Sequence, residues 1–190
     1  MMIRVIGGEY GGRRLAVPKT SAVRPTSDRT REAIFNILAS RTDLAGKKVL
    51  DLFAGSGAFG IEAISRGAAE AVFVDTAHDS LETVRQNLKN LDAAKSAAVK
   101  VIKSDAVSYL RESGEVFDVA FCDPPYKFLM WDKVLNALHC QLAVLESDRE
   151  VIPPEGWETL KTYAYGISVV TVIGSKKSDD AKHVITTEVL

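Results

Sequence analysis

Residues 48–60 read KVLDLFAGSGAFG, and this stretch decides the fold. The apolar run KVLDLF (48–53) predicts a strand, and GAFGIEAISRG (57–67) predicts a helix stopped by Gly67. Between them lies Gly55-x-Gly57-x-x-Gly60. Glycines at a strand-to-helix turn let the backbone bend sharply and approach a ligand, and the helix start presents free N–H groups. Working outward, AVFVD (71–75), VKVIKSD (99–105), VFDVAFCDPP (116–125) and LAVLES (142–147) each contain a strand. Helical stretches separate them. Asp79 with Glu82 resembles a capping box opening a helix with Leu81, Val84, Leu88 and Leu91 on one side. AVSYLRES (106–113) and a stretch with Val134, Leu135 and Leu138 supply two more. Such alternation implies βαβ crossovers and a parallel sheet.

The two ends of the chain depart from this rhythm. TYAYGISVVTVIG (162–174) has no room for a crossover helix, so it predicts two strands joined at Gly166, an antiparallel pair at the sheet edge. IRVI (3–6) and RRLAV (13–17), separated by Gly7, Gly8, Gly11 and Gly12, predict a glycine-rich hairpin. A loop over 18–26 leads to a helix capped by Ser27 or Asp28 and running to about Ser40. The expected fold is therefore α/β and Rossmann-like, a mostly parallel seven-stranded sheet with an antiparallel C-terminal strand and a small N-terminal β-hairpin. The expected organisation is a basic extension over 1–26, a catalytic domain over 27–174, and a tail or further strand over 175–190.

Length and composition bound the function. A chain of 190 residues, 46% hydrophobic and 26% charged, suits one globular domain with a sizeable core. Cys122 and Cys140 make no disulfide framework, and His78, His139 and His183 fall at no metal-ligand spacing, so two reduced thiols and no metal are expected. The chain has no apolar run of membrane-spanning length and no signal-peptide core, which predicts a cytoplasmic protein without a membrane partner. Residues 1–41 carry a net charge of +5 and the remainder −6. A basic segment on an acidic body is a possible footprint for phosphate, or simply a solvated surface.

Asp75 ends the second strand of the alternating region, 20 residues beyond Gly55. A carboxylate there can accept hydrogen bonds from both hydroxyls of a ribose. The glycine loop alone also fits nicotinamide and flavin enzymes. Asp51, just before the loop, favours S-adenosylmethionine instead: it suits a cationic amino-acid group and repels a pyrophosphate. Asp105, followed by Ala106, is placed either to accept from an adenine amine or to cap the next helix.

Asp123-Pro124-Pro125-Tyr126 follows a strand at the end where open parallel sheets bind ligands. The residue types fit one task. An exocyclic base amine is a poor nucleophile because its lone pair is delocalised into the ring. Two acceptors, the Asp123 carboxylate and the Pro124 carbonyl, can draw its hydrogens out of plane and free that pair. The prolines stiffen the turn, and Tyr126 can stack on the base. Asp-Pro-Pro is also an ordinary turn, but its company with the glycine loop and Asp75 favours a catalytic site.

With these residues in place, the chain resembles class I amino-methyltransferases, and more specifically the RsmD family. The discriminating segments are RVIGGEYGGRRLAVP (4–18) and RPTSDRTREAIFNIL (24–38); VLES (144–147) and the closing YAYG…VVTVIG also agree. The resemblance covers roughly residues 2–174. It implies methyl transfer from S-adenosylmethionine to the N2 amine of a guanine in 16S rRNA, within the small ribosomal subunit or its assembly intermediate. It implies Asp51, Gly55, Gly57, Asp75, Asp105 and Ala106 at the cofactor, and Asp123, Pro124 and Tyr126 at the guanine. Arg13, Arg14, Arg24 and Arg31 would lie on RNA phosphates, and the enzyme would act as a monomer. Many relatives carry glutamate where this chain has Asp75, which lowers the expected cofactor affinity, and 175–190 matches no family pattern. The competing readings are amine methylation of DNA adenine or cytosine, of another RNA or of protein glutamine; a nicotinamide-dependent oxidoreductase, for which no Tyr-x-x-x-Lys or well-placed His is present; and a non-catalytic RNA-binding module.

Overall fold

Among the described residues (3–19 and 27–176), the computed structural model contains nine strands and five α-helices. Two short strands, β1 (Ile3–Arg4) and β2 (Arg14–Leu15), pair antiparallel. Helix α1 (Asp28–Ala39) follows, with the Ser27 side chain accepting from the Thr30 N–H as its N-cap. The alternating region then runs β3 (Lys48–Leu52), α2 (Ala58–Ser65), β4 (Glu70–Asp75), α3 (His78–Asn90), β5 (Ala98–Lys103), α4 (Ala106–Ser113), β6 (Phe117–Cys122), α5 (Trp131–Ala137) and β7 (Cys140–Ser147). Strands β8 (Trp157–Tyr165) and β9 (Ser168–Ser175) close it.

The seven-stranded sheet has the order β5-β4-β3-β6-β7-β9-β8. Strands β3 to β7 are all parallel. The chain builds outward from β3 to β5, then restarts on the other side of β3 with β6, so the topological switch lies between β3 and β6. At such a point the crevice beyond the strand ends opens for a ligand. Successive residues of the central strands face opposite layers. Val49 and Phe73 join a core with α1, α2 and α3, whereas Leu50, Leu52, Val72 and Val74 join a second core with α4 and α5.

The C-terminal pair is antiparallel, as its tight turn requires, but its order in the sheet needed the structure. The last strand, β9, inserts between β7 and β8 and is antiparallel to both. The reason is polarity. In β9, Val170, Thr171, Val172 and Ile173 are all buried, while β8 exposes Glu158, Thr159 and Lys161 and so tolerates the edge.

The hairpin packs onto the body of the fold: Ile3, Val5, Tyr10 and Leu15 belong to the same core as α1, α2 and α3. One expectation is corrected. Helix α3 begins at His78, with Ala77 as N-cap and no side-chain capping bond, so Asp79 lies inside the first turn rather than at a capping box. The Asp75 carboxylate takes the Ala77 N–H instead, at 2.8 Å. Cys122 and Cys140 are free and buried, and burial pushes both thiols well up. The expected loop 18–26 is described only to Lys19, so Arg24 and Pro25 lie outside the described residues. Of the tail, Ser175 completes β9 and the Lys176 N–H donates to the Gly156 carbonyl; 177–190 lie outside.

Candidate active site

The turn after β3 is held by backbone bonds to its neighbour. The N–H groups of Phe53 and Ala54 both donate to the Val74 carbonyl at 3.0 Å, and that of Gly57 donates to Ala54 at 2.7 Å. Phe53 takes a left-handed φ of 69°, a costly conformation for an aromatic residue and the kind of strain that concentrates at functional turns. The glycines divide the work. A Cβ on Gly60 would lie 2.3 Å from the Phe73 ring, so this glycine lets α2 sit close on the sheet. A Cβ on Gly55 would meet nothing nearer than the Phe53 carbonyl at 3.9 Å, so this glycine keeps the ligand side open.

Two carboxylates tie the loop. Asp51, only 2% exposed, lies beneath it and accepts the Gly60 N–H at 2.9 Å. Its burial, with the nearby charge of Asp75 adding to the effect, pushes its pKa up to about 7. Asp75 is half-buried at the end of β4 and accepts from Gly55 N through Oδ2 and Ala77 N through Oδ1, both at 2.8 Å. Each oxygen keeps acceptor capacity for a ribose hydroxyl. Two neighbouring carboxylates at this loop, whose N–H groups at residues 53, 54, 55, 57 and 60 are already bonded within the protein, fit a nucleoside bearing positive charge and oppose a pyrophosphate. Asp105 is the N-cap of α4, with Oδ1 accepting from Val107 and Ser108 at 3.0 and 3.1 Å. The capping reading of this residue is thus realised, and Ala106 is buried beside it.

Parallel pairing sets Leu52 beside Cys122, so the residues that follow, Phe53 and Asp123, leave adjacent strands at the same level. The cofactor-type loop and the Asp-Pro-Pro-Tyr turn therefore share one crevice. Asp123 is half-buried, Pro124 buried, and Tyr126 exposed with its hydroxyl 3.3 Å from Ser168 Oγ on β9. An aromatic ladder joins the two turns: Phe53 meets Phe128 edge-on at 5.2 Å, and Phe128 meets Trp131 at 5.3 Å. Sequence reasoning missed this ladder, although the run FLMW (128–131) is a visible signal.

The basic residues separate. Arg13 and Arg14 are exposed on the hairpin, and Arg13 Nη2 donates to the Asn90 carbonyl at 3.1 Å. Arg31 is not on the surface. It is 1% exposed, and its Nη2 donates to the Arg4 carbonyl at 2.7 Å and to Asp28 at 2.8 Å. It clamps the hairpin to α1, a site closed to phosphate. Burial lowers its pKa against the opposing pull of Asp28 and Glu62. Two further polar residues escaped the sequence reading. Glu62, fully buried in α2, accepts from Ile6 N, Gly7 N and Arg66 Nε. Asn87 accepts from Ala16 N at 2.8 Å and donates to the carbonyls of Ala16 and Ser56 at 3.0 and 2.9 Å, tying the hairpin to the glycine loop. Its signal was its place on the apolar stripe Val84, Leu88, Leu91.

The architecture is the class I methyltransferase fold, and the switch-point loop, the acidic strand end and the Asp-Pro-Pro-Tyr turn lie at one end of its sheet. Among the described residues no helix is long and apolar enough to cross a membrane, and no cluster of metal-ligating side chains occurs. A family described as conserved hypothetical protein 95 matches residues 3–174, and the chain belongs to it and to the RsmD family it represents. Ribosomal RNA small subunit methyltransferase D of Escherichia coli strain K12 is 40% identical over 136 residues, 72% of this chain and 66% of that relative, so the match spans just under two thirds of its length. The protein of the same name in Haemophilus influenzae is 33% identical over 177 residues, covering 87% of this chain and 90% of the relative. A solved structure of a hypothetical protein from Thermus thermophilus is similar at 30% identity and a TM-score of 0.75, over 90% of this chain and 98% of that one.

Proposed function

We propose that this chain transfers the methyl group of S-adenosylmethionine to the exocyclic N2 amine of a guanine in 16S rRNA of the small ribosomal subunit. The observation that carries the reading is the placement of Asp123-Pro124-Pro125-Tyr126 level with the glycine loop, on adjacent strands of one crevice. The names of the similar proteins support a ribosomal RNA substrate.

When bound, S-adenosylmethionine supplies an electrophilic methyl on a sulfonium. Gly55 and Gly57 offer it backbone, Asp75 holds the ribose hydroxyls, and Asp105 with Ala106 borders the adenine. Asp51, from beneath the loop, favours the positive end. Tyr126 stacks on the guanine. Asp123 and the Pro124 carbonyl accept the two amine hydrogens, which directs the nitrogen lone pair at the methyl. As positive charge develops on the nitrogen, the Asp123 carboxylate stabilises it. Catalysis is thus mainly positioning and electrostatics. Arg13 and Arg14 meet RNA phosphates from the hairpin. The same reading has the enzyme act as a monomer in the cytoplasm.

The test is transfer of labelled methyl to small subunits from cells lacking this gene, beside wild-type subunits and protein-free rRNA. Label confined to the deficient subunits, and lost with Asp123→Ala, is expected. No label in any RNA from protein that binds adenosylhomocysteine would overturn the substrate assignment.

A further inference from the structure

Six large hydrophobic residues are exposed among those described, and four of them lie on two turns at the crevice end of the sheet. Tyr126 (43% exposed), Leu129 (79%) and Met130 (40%) come from the turn after β6, and Ile167 (68%) from the turn between β8 and β9. The two turns touch, because Tyr126 Oη lies 3.3 Å from Ser168 Oγ, next to Ile167. Scattered surface hydrophobics need no explanation, but a group of them beside a site does.

The turn that carries Leu129 packs onto the crevice through Phe128. Lys127 takes a left-handed φ of 67°, and the Phe128 ring is held between Phe53 and Trp131. Leu129 and Met130 therefore project from an anchored base. They lie three and four residues beyond Tyr126 on the same turn, so they border the same end of the crevice as Asp123.

We infer that Leu129, Met130 and Ile167 form an apolar rim that packs against the RNA bases flanking the target, holding them unstacked. This rests on the base-amine reading above. A base drawn into the pocket leaves its neighbours with bare apolar faces, and Leu, Ile and Met are the side chains that fill such gaps in distorted nucleic acid. Leu129, Met130 and Ile167 are themselves uncharged, so removing them while leaving Lys127, Arg13 and Arg14 in place takes away a contribution that does not depend on salt. The substrate it implies is a locally unpaired or splayed stretch of RNA rather than an intact duplex.

The test is the triple variant Leu129→Ser, Met130→Ser, Ile167→Ser. KM for gene-deficient small subunits should rise about tenfold, in the range of lost base stacking. Affinity for protein-free rRNA should fall in parallel, with the slope of log affinity against log salt unchanged. Adenosylhomocysteine affinity and the melting temperature should stay as in wild type. The conservative variant Leu129→Met, Ile167→Val should recover most of the loss. An unchanged KM would overturn the inference, as would a steeper or flatter salt slope. A loss seen with subunits but not with protein-free rRNA would also overturn it, and would assign the rim to a ribosomal protein. If wild-type enzyme itself methylates no subunit, the base-amine reading fails first.

Discussion

Replacing Asp51 by asparagine should stabilise the ligand-free protein near pH 8 and change it little near pH 4. Asp51 is buried with one hydrogen bond, from the Gly60 N–H, and feels the charge of Asp75. Its carboxyl loses its proton near pH 3.8 in the unfolded chain, but near 7 in the folded one. A folded-state pKa raised in this way favours the native state fully below about pH 4, and that contribution is lost as pH rises through 7. A shift of about three units corresponds to at most ~4 kcal/mol. Asparagine does not titrate, and its Oδ1 can take the same Gly60 N–H. Urea unfolding of both proteins between pH 4.5 and 8.5 should show the variant gaining on wild type by about 2–4 kcal/mol across that window. A difference that stays flat with pH would refute the reasoning. Cofactor binding gives an independent check. A ligand with a cationic group above the loop favours ionised Asp51, so adenosylhomocysteine should bind wild type more tightly as pH rises through 7, and Asp51→Asn without that dependence.

Other expectations follow from single contacts. Gly60→Ala forces a Cβ into the Phe73 ring and should cost about 1–3 kcal/mol in urea unfolding. Gly55→Ala has room but a φ of 54°, so it should cost about 1–2 kcal/mol and weaken adenosylhomocysteine binding in a calorimetric titration. Arg31→Ala removes a buried side chain and its bonds to Asp28 and the Arg4 carbonyl, while Asp28 keeps Arg4, and should destabilise by about 1–3 kcal/mol in urea unfolding. In contrast, Arg13→Ala with Arg14→Ala should keep the melting temperature and flatten the salt dependence of RNA binding. Asn87→Asp sets a carboxylate against the carbonyls of Ala16 and Ser56, and should lower both stability, by about 1–3 kcal/mol, and cofactor affinity. Asp123→Asn should reduce kcat about 100-fold or more with adenosylhomocysteine binding unchanged.

What the sequence determined by itself is everything with a local cause. Strand–helix alternation is written in the spacing of apolar residues, and the glycine loop and the Asp-Pro-Pro-Tyr turn are continuous stretches whose residue types follow from their backbone demands. Ser27 as a cap and the tight turn at Gly166 are of the same kind. Only the tertiary structure decided matters that depend on which distant surfaces meet. Asp79 is an exception: its spacing looked right for a cap, yet Asp75, at the end of the preceding strand and two residues before Ala77, takes the Ala77 N–H through a purely local bond. Arg31 looked like surface charge because arginine is seldom buried, but the Arg4 carbonyl and Asp28 offered it partners that no window of sequence displays. The order β7-β9-β8 likewise arises from competition between two neighbouring strands for a buried place, settled by their relative polarity. Tyr126, Leu129, Met130 and Ile167 come to one end of the sheet only because two turns about forty residues apart meet there.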